Sequence, residues 1–253
     1  MGVVREQTPP RTLRMGLHNN SMAVILRLTR PLTRRHFRSF VSEGDLVFDV
    51  GANVGDLTHI FSALGAHVVS IEPQPECVKI LQKRFRRRPD VTILEMGASD
   101  LPGELPLYAA GDFHTTSTFS ERYMTKGRFS GRFSRKHRVS RRTVRVTTLD
   151  ELIAQYGIPA FCKIDVEGFE LKVLKGLSHR IPALSFEFQA DRLPEAQRCV
   201  HQLTSLGSVR FNYSPLFFYN LVERTWLPGT EIVRRISCFS RLIPSGDIYA
   251  RFE

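Results

Sequence analysis

Short apolar runs that alternate with helical patterns constrain the fold more than any other feature of this sequence. Runs of this length that are apolar almost throughout are typical of strands buried on both faces. They lie at Leu46–Val50, Val68–Ile71, Val91–Glu95, Phe161–Asp165 and Ala183–Phe188. Helical patterns separate most of them, at Asp56–Leu64, Pro75–Arg87, Leu149–Tyr156 and Phe169–Leu177. The alternation predicts an α/β fold in which right-handed crossovers build a mostly parallel sheet with helices on both faces.

The C-terminal part of the chain extends this pattern. A helical segment at Glu195–Leu206 is followed by the strand-like segments VRFNY and DIYARF, which we expect to add an antiparallel edge hairpin and complete a seven-stranded, Rossmann-like sheet. With 253 residues, of which 42% are hydrophobic, the chain can bury one large core. We therefore predict a single domain over residues 21–253, preceded by a flexible basic leader at residues 1–20.

One stretch, residues 111–145, interrupts the alternation as a basic insertion. It is rich in arginine, lysine, serine and threonine, and it contains Phe113, Phe119, Phe129 and Phe133. A long connection without periodicity is either a functional loop or a solvated one. Basic residues interleaved with aromatic rings can attract an acidic acceptor, such as a phosphorylated or carboxylated glycan, or single-stranded nucleic acid. We favour the small-molecule or glycan acceptor, because the rest of the chain has no recognisable nucleic-acid-binding motif.

The composition narrows the functional classes. Lysine and arginine exceed aspartate and glutamate by 36 to 25, a net charge of +11, so the surface should attract anions. The four cysteines are far apart and form no C-x-x-C or Cys/His cluster, which argues against a structural zinc site and predicts a reduced, cytoplasmic protein. The apolar run at Met22–Leu26 is too short to cross a membrane, so we predict no transmembrane segment.

A glycine-containing loop, DVGANVG at Asp49–Gly55, follows the first predicted strand. Ligands of open parallel sheets bind beyond the carboxyl ends of the strands, where a helix N-terminus also offers free N–H groups. We expect Gly51 to allow the tight turn and Gly55 to bring the helix start close to the ligand. A dinucleotide fingerprint has glycine where this loop has Asn53 and Asp56, which counts against a pyrophosphate. The arrangement D-x-G-x-N-x-G suits a ligand with a positive centre and an amino group, and S-adenosylmethionine has both.

Further residues of interest follow the second and third predicted strands. Glu72 can accept hydrogen bonds from both ribose hydroxyls, a role that sites for NAD and for S-adenosylmethionine share. Ala98, Ser99 and Asp100 can frame an adenine edge. Simpler alternatives exist, because Glu72 can instead cap the helix that begins near Pro75, and Asp100 can be a turn residue. Taken together, these residues predict a nucleoside-binding site.

The fourth predicted strand ends in the motif KIDVEG, which places Lys163, Asp165 and Glu167 at or just beyond the strand end. Charges at the mouth of an apolar strand are costly unless they are paired or used. We therefore predict that Asp165 faces the same cleft as Asp49 and Glu72.

These motifs resemble those of the FkbM-like S-adenosylmethionine-dependent methyltransferases. The resemblance is carried by DLVFDVGANVGDLT at 45–58, VVSIEPQPE at 68–76, GASD at 97–100, TTLDEL at 147–152 and KIDVEGFELKVLKG at 163–176, and it extends over about residues 43–190. The pairing of D-V-G-A-N-x-G with K-I-D-V-E-G is far more specific than either motif alone. The resemblance implies a class I methyltransferase fold, S-adenosylmethionine as the cofactor, and methylation of a hydroxyl oxygen on a sugar, polyketide or similar metabolite.

The resemblance also implies a role for each matching position. Asp49, Gly51, Asn53 and Gly55 would line the methionine part of the cofactor, Glu72 its ribose, and Ala98, Ser99 and Asp100 its adenine. Asp165 and Glu167 would lie near the transferred methyl group. An alcohol acceptor benefits from a base, for which Asp165 is the first choice, Glu167 the second, and His114 in the basic insertion the third.

Other interpretations stay open at this point. Asp165 can instead bind the amino group of the cofactor, and Glu167 can cap the following helix or pair with Lys163. Carboxylates at one cleft can also hold a divalent ion, but the sequence has no further convincing ligands, so we predict no metal. The competing functions are a NAD-dependent dehydrogenase and a nucleic-acid-binding or polyanion-binding protein that kept the fold without the chemistry.

Overall fold

The computed structural model of the protein describes residues 30–110, 117–120, 139–215, 219–239 and 244–253. The predicted leader at residues 1–20 and the predicted start of the domain at residue 21 lie outside these ranges. Most of the predicted basic insertion lies outside them too, together with His114.

Strands and helices alternate along the described chain. The strands are β1 (Leu46–Val50), β2 (His67–Ile71), β3 (Val91–Leu94), β4 (Gly97–Ala98), β5 (Gly103–Ala110), β6 (Ser117–Thr118), β7 (Val139–Thr147), β8 (Phe161–Ile164), β9 (Ala183–Gln189), β10 (Val209–Pro215) and β11 (Ser245–Phe252). The helices are α1 (residues 30–37), α2 (Asp56–Ala63), α3 (Pro75–Phe85), α4 (Leu149–Tyr156), α5 (Glu170–Lys175), α6 (Leu193–Leu206) and α7 (Gly229–Phe239). The strands and helices predicted over the alternating region all end within two residues of their predicted ends.

The main sheet has seven strands in the order β10-β11-β9-β8-β1-β2-β3. Strands β1, β2, β3, β8 and β9 pair in parallel, whereas β11 runs antiparallel to both of its neighbours, β9 and β10. The predicted mostly parallel seven-stranded sheet with an antiparallel edge is therefore confirmed. Strands β10 and β11 pair antiparallel as expected, and the chain between them includes α7. Strand β1 lies between β2 and β8, so the strand order reverses at β1, which is where open α/β sheets bind ligands.

Both faces of the main sheet are covered by side chains from helices. On one face, Phe48 of β1 and Ile164 of β8 belong to a large buried cluster. On the other face, the ring of Phe37 in α1 lies 4.9 Å from that of Phe61 in α2 and 5.6 Å from that of Phe161 in β8, both in edge-to-face geometry. Such aromatic pairs stabilise a core beyond the area that they bury. They explain why the arginine-rich segment around Phe37 packs as a helix against the sheet.

A second sheet, which the sequence did not predict, contains four strands in the order β4-β7-β5-β6. Strand β7 occupies positions that were expected to belong to an irregular basic insertion. Its Val144 and Val146 join an apolar cluster with Leu107, whereas Arg145 between them is exposed. The apolar residues of this strand alternate with exposed arginines, so the segment resembles a charged loop in the sequence. The expectation of a connection without regular structure is therefore wrong for residues 139–145.

Within the described ranges, no helix is long and apolar enough to cross a membrane. The four cysteines are free thiols, and Cys238 is exposed whereas the other three are buried. Burial raises the pKa of the Cys77 thiol to about 12, so this thiol is protonated at neutral pH.

Candidate active site

A cavity opens at the carboxyl ends of β1, β2 and β8, at the point where the strand order reverses. Three groups of lining residues lie at the ends of strands of the main sheet: Val50, Gly51 and Asn53 at the end of β1; Ile71, Glu72, Pro73 and Gln74 at the end of β2; and Asp165, Val166 and Glu167 after β8. The fourth group belongs to the second sheet or directly follows its strand β6: Gly97, Ala98, Leu107, Ser117 and Phe119. We call Asn53, Glu72 and Gln74 the Glu72 wall, and Asp165, Val166 and Glu167 the Asp165 wall. The structure thus brings together Gly51, Asn53, Glu72, Ala98, Asp165 and Glu167 of the predicted site residues.

The loop after β1 is held in a left-handed conformation. Gly51 has φ 84° and Asn53 has φ 50°. A Cβ atom on Gly51 would lie only 1.9 Å from the backbone oxygen of Asp165, so this position must be glycine for the ends of β1 and β8 to approach each other. The N–H of Gly51 also donates to the Ile71 oxygen at 2.9 Å, which joins the loop to β2. The predicted tight turn at Gly51 is therefore present, and its cause is contact with the neighbouring strand end.

Gly55 has a different structural role from the one that we expected. Its φ is 84°, and a Cβ atom there would lie 2.5 Å from the Cδ2 atom of Leu81 and 2.6 Å from the Cε2 atom of Phe85. The missing side chain therefore lets α3 pack against the start of α2. Gly55 does not contribute to the lining of the cavity, so its predicted contact with the cofactor stays a prediction.

Asp49 lies beneath the cavity, outside its lining. Its carboxylate is buried and accepts a hydrogen bond of 2.6 Å from the Thr58 hydroxyl, which is 3.0 Å from the hydroxyl of Ser70. Burial raises the pKa of Asp49 to about 6, although the Thr58 hydrogen bond and the charge of Lys163 act in the opposite direction. Asp49 thus connects the end of β1 to α2 by a hydrogen bond and stabilises the loop between them.

Glu72 is almost completely buried, yet both of its oxygens are used. The backbone N–H of Asn53 donates to Oε2 at 2.8 Å, and that of Gln74 donates to Oε1 at 2.9 Å. Burial raises the pKa of Glu72 to about 7, while the hydrogen bonds from Gln74 and Asn53 lower it. Gln74 directly precedes α3, and no side-chain capping hydrogen bond is present at the start of this helix, so the simpler alternative that Glu72 caps α3 stays a prediction. A carboxylate has further lone pairs, and those of Glu72 can still accept hydrogen bonds from a ligand in the cavity.

The predicted adenine-framing residues separate into two groups. Ala98 lines the cavity, but Ser99 and Asp100 do not. The backbone N–H of Ser99 donates to the Thr147 oxygen at 2.8 Å. The Nζ atom of Lys172 lies 2.6 Å from Oδ2 of Asp100, and its hydrogen bond lowers the pKa of this carboxyl. Asp100 is therefore held towards α5, and its contact with the adenine stays a prediction.

Lys163 is a buried cation behind the Asp165 wall. Its Nζ atom lies 2.7 Å from Oδ1 of Asp247 on β11 and 3.5 Å from Oδ2 of Asp165. Burial disfavours the charge of Lys163, but the carboxylates of Asp247 and Asp165 raise its pKa, so we treat the group as an ion pair. The sequence suggested Glu167 as a partner for Lys163, whereas the structure pairs Lys163 with Asp247 and Asp165.

The Asp165 wall is more open than the Glu72 wall, and like the Glu72 wall it contains a non-glycine residue in the left-handed conformation. The side chain of Asp165 is 43% exposed. Glu167 has φ 51° and is followed by Gly168 with φ 89°. A left-handed conformation costs a residue with a side chain about 1–3 kcal/mol, and such strain persists where surrounding contacts enforce it. Here the Thr118 hydroxyl donates to the Glu167 oxygen at 2.8 Å, and the Gly168 N–H donates to Oε1 of Glu170 at 2.9 Å.

Sequence reasoning missed several cavity residues, notably Gln74, Leu107, Ser117 and Phe119. Phe119 was noticed only as one aromatic residue of the basic insertion. The alternation of apolar residues in β5 and β7 was the available signal, because it predicts a sheet that could bring Phe119 to the cavity. In the part of the chain that the structure describes, no group of three or more His, Cys, Asp or Glu residues is arranged to hold a metal ion.

The mostly parallel seven-stranded sheet, its strand order and its antiparallel edge together define a class I methyltransferase fold. The comparison with protein families agrees. Residues 49–212 match the model of the Methyltransferase FkbM domain. The chain belongs to the FkbM methyltransferase family, as the sequence predicted, and S-adenosylmethionine rather than a nicotinamide dinucleotide is its cofactor.

Two curated relatives match parts of the chain. Hexuronic acid methyltransferase AglP of Haloferax volcanii is 32% identical over 151 residues, which are 57% of this chain and 54% of that protein. A chloroplastic ribosomal RNA small subunit methyltransferase of Arabidopsis thaliana is 42% identical over 45 residues, 18% of this chain and 13% of that protein. The chain therefore matches about half the length of the first relative and a small part of the second.

Two of the solved structures that match the chain have TM-scores below 0.5. Precorrin-6y C5,15-methyltransferase of Geobacter metallireducens GS-15 has a TM-score of 0.44 and 10% identity, covering 88% of this chain and 87% of that one. Fibrillarin of Aeropyrum pernix, solved with bound S-adenosylmethionine, has a TM-score of 0.42 and 12% identity, covering 83% and 68%.

Proposed function

We propose that the protein transfers the methyl group of S-adenosylmethionine to a hydroxyl oxygen of an acidic sugar. One observation carries this proposal: a single cavity has Glu72, buried and fixed, on one wall and Asp165, half-exposed, on another. Strand β1 lies between the strands that end at these two residues, so the strand ends are about 10 Å apart. This separation suits a nucleoside held at Glu72 with its reactive end near Asp165.

The residues of the Glu72 wall fit a ribose. Backbone N–H groups already orient both oxygens of Glu72, so the carboxylate can accept hydrogen bonds from the ribose hydroxyls without reorganising. Gly51 and Asn53 provide a wall without a bulky apolar side chain, which suits the polar amino-acid part of the cofactor. When bound, S-adenosylmethionine supplies a methyl group that its sulfonium has already activated.

The remaining task of the protein is to hold and deprotonate the acceptor. Asp165 is the base in this proposal, because it lines the cavity and its exposed side chain can reach an incoming hydroxyl. Lys163 lies 3.5 Å from Oδ2 of Asp165 and orients the carboxylate from behind. With S-adenosylmethionine bound, Asp165 would accept the hydroxyl proton on its other oxygen while the oxygen–methyl bond forms and the methyl–sulfur bond breaks, which leaves S-adenosylhomocysteine. Glu167 is the second choice as the base, since it lines the same wall.

An acidic sugar is the acceptor class with most support. The relative AglP is a hexuronic acid methyltransferase by name. The chain carries a net charge of +11, which favours the encounter with an anionic acceptor. Arg141 and Arg145 of β7 are exposed on the second sheet, which also supplies part of the cavity lining. These arginines can therefore attract a carboxylate on the sugar towards the second sheet, next to the cavity.

Methyl transfer from radiolabelled S-adenosylmethionine tests the proposal directly. The acceptors are an oligosaccharide that contains a hexuronic acid, the same oligosaccharide with its carboxylate reduced to an alcohol, and ribosomal RNA. We expect label in the acidic oligosaccharide, at least about tenfold less in the reduced one, and none with Asp165→Asn. Label in RNA alone, or cofactor binding without transfer to any sugar, would overturn the proposed acceptor.

A further inference from the structure

A short segment of the second sheet covers the cavity. Residues 117–120, which we call the strap, include β6. Among the strands that the structure describes, β6 pairs with the edge of β5 alone, and Thr118 lies opposite Tyr108. Two of its four residues, Ser117 and Phe119, line the cavity. The strap therefore reaches the site from outside the main sheet.

Phe119 forms an apolar surface over the cavity. Its ring rests on Gly97, where an added Cβ atom would lie only 2.4 Å from the Cζ atom of Phe119. The ring also packs 5.3 Å from that of Phe169, centroid to centroid, and belongs to the cluster with Leu107 and Val146. Phe119 is thus held in one place on several sides, while part of its surface faces the cavity beside Ala98.

The two hydroxyl residues before Phe119 bind to different walls of the cavity. The Ser117 hydroxyl donates to Oε1 of Gln74 at 2.7 Å, and the side chain of Gln74 hydrogen-bonds to Glu72. The Thr118 hydroxyl donates to the Glu167 oxygen at 2.8 Å and accepts from the Ser120 N–H at 3.0 Å. Neighbouring residues of one strap therefore connect to the Glu72 wall and to the Asp165 wall.

We propose that the strap is the adenine-binding surface of the cofactor site and that its Thr118 holds the Asp165 wall in the geometry needed for turnover. This inference rests on the proposed function. The purine ring stacks against the part of Phe119 that faces the cavity, beside Ala98. Ser117 holds Gln74, which in turn holds Glu72 for the ribose, and Thr118 keeps the strained backbone at Glu167 in place. Phe119 is a binding residue, and Thr118 is a positioning residue.

The stacking role is tested by calorimetric titration with S-adenosylhomocysteine. Loss of an aromatic ring from a stacked base weakens binding by about 10- to 100-fold, so we expect this effect for Phe119→Ala. Leu105→Ala is the matched control, because Leu105 packs in the same apolar cluster but does not line the cavity. Both variants should lower the melting temperature, and only Phe119→Ala should weaken binding. Equal affinities of the two variants, measured below both melting temperatures, would overturn the stacking role.

The positioning role of Thr118 is tested by measuring cofactor binding and turnover separately. Thr118→Val removes the hydroxyl that holds the Glu167 oxygen and retains the branched shape of the side chain. We expect kcat to fall by about tenfold, while the dissociation constant of S-adenosylhomocysteine stays within about twofold. Thr118→Ser keeps the hydroxyl and should restore most of the activity. If Thr118→Val turns over normally, or if Thr118→Ser is equally impaired, the positioning role of Thr118 is wrong.

Failure of this inference can be told apart from failure of the proposed function. Suppose that the wild-type protein binds S-adenosylhomocysteine, that Glu72→Ala does not, and that Phe119→Ala binds as tightly as the wild type. Then the proposed role of the strap is wrong, and the proposed function is unaffected. If the wild-type protein does not bind S-adenosylhomocysteine, both the proposed function and the role of the strap fall.

Discussion

The two walls of the cavity carry the same chemical groups in opposite environments. Glu72 is buried, and both of its oxygens accept backbone N–H groups. Asp165 is 43% exposed, and its nearest described cation, Lys163, is shared with Asp247. A carboxylate with fixed geometry and little contact with water suits the binding of a ligand, whereas an accessible carboxylate suits the transfer of a proton. We therefore propose that the Glu72 wall recognises the cofactor and that the Asp165 wall carries out the chemistry.

A substitution at Gly51 should damage both walls at once and have the largest effect. Gly51→Ala places a Cβ atom 1.9 Å from the Asp165 oxygen, so the ends of β1 and β8 must separate. We expect loss of detectable S-adenosylhomocysteine binding and a clear fall in melting temperature. Gly44→Ala is the control, since Gly44 has a similar φ of 82° but no atom within 4 Å of an added Cβ. If the two variants behave alike, backbone strain rather than contact between the strand ends explains the need for glycine.

Asp165→Asn should separate the walls by abolishing turnover while sparing cofactor binding. Removal of a general base typically lowers kcat by roughly 100- to 10,000-fold. S-adenosylhomocysteine should still bind within about threefold of wild type, as measured by calorimetry. Glu231→Gln, which affects only ion pairs along α7, should leave both quantities unchanged. A large loss of affinity in Asp165→Asn would instead favour a role for Asp165 in binding the amino group of the cofactor.

Lys163→Met should show how far the Asp165 wall depends on a buried ion pair. Removing one partner leaves Asp247 buried without its cation, which typically costs about 3–5 kcal/mol in unfolding free energy. Urea denaturation of Lys163→Met, Asp247→Asn and the double variant measures this cost. The double variant should be more stable than the sum of the single losses predicts. Additive losses would mean that the two side chains are not coupled.

The pH dependence of S-adenosylhomocysteine binding should show that Glu72 contacts the cofactor. The expected change in affinity is smaller than the effects of the substitutions above. The pKa of Glu72 is raised from 4.5 to about 7, so its contribution to stability is present below about pH 4.5 and is lost as the pH rises through about 7. Ribose hydroxyls donate to the ionised carboxylate, so binding should change in the opposite direction. We expect S-adenosylhomocysteine to bind up to about tenfold more tightly at about pH 8 than at about pH 6. Glu72→Gln should remove this dependence, and a slope that persists in this variant would assign it to another group.

The Glu72 wall was easier to predict from the sequence than the Asp165 wall. Its hydrogen bonds join residues close in the chain: Glu72 is 19 positions from Asn53 and two positions from Gln74. The contacts of the other wall are distant. Lys163 and Asp247 are 84 positions apart, and Thr118 and Glu167 are 49 apart. A local motif cannot predict such pairs, because they depend on where β11 and the second sheet are placed.

The same distinction explains which parts of the fold were predicted. Buried parallel strands such as β1 are apolar on both faces, so their sequences identify them directly. Strand β7 has one exposed face rich in arginine, which resembles a solvated charged segment. Helix α7 was missed as well, because two adjacent arginines interrupt its apolar pattern in TEIVRRISCF. Elements with one polar face in a basic protein were therefore harder to recognise than the central strands.

A crystal structure with S-adenosylhomocysteine bound tests the assignment of the two walls most directly. We predict that both ribose hydroxyls lie within hydrogen-bonding distance of Glu72, that the adenine packs against Phe119, and that the sulfur faces Asp165. A ligand bound in the reverse direction, with its ribose at Asp165 and its sulfur at Glu72, would contradict the assignment of recognition and chemistry to these walls. A ligand bound outside this cavity would contradict the site itself.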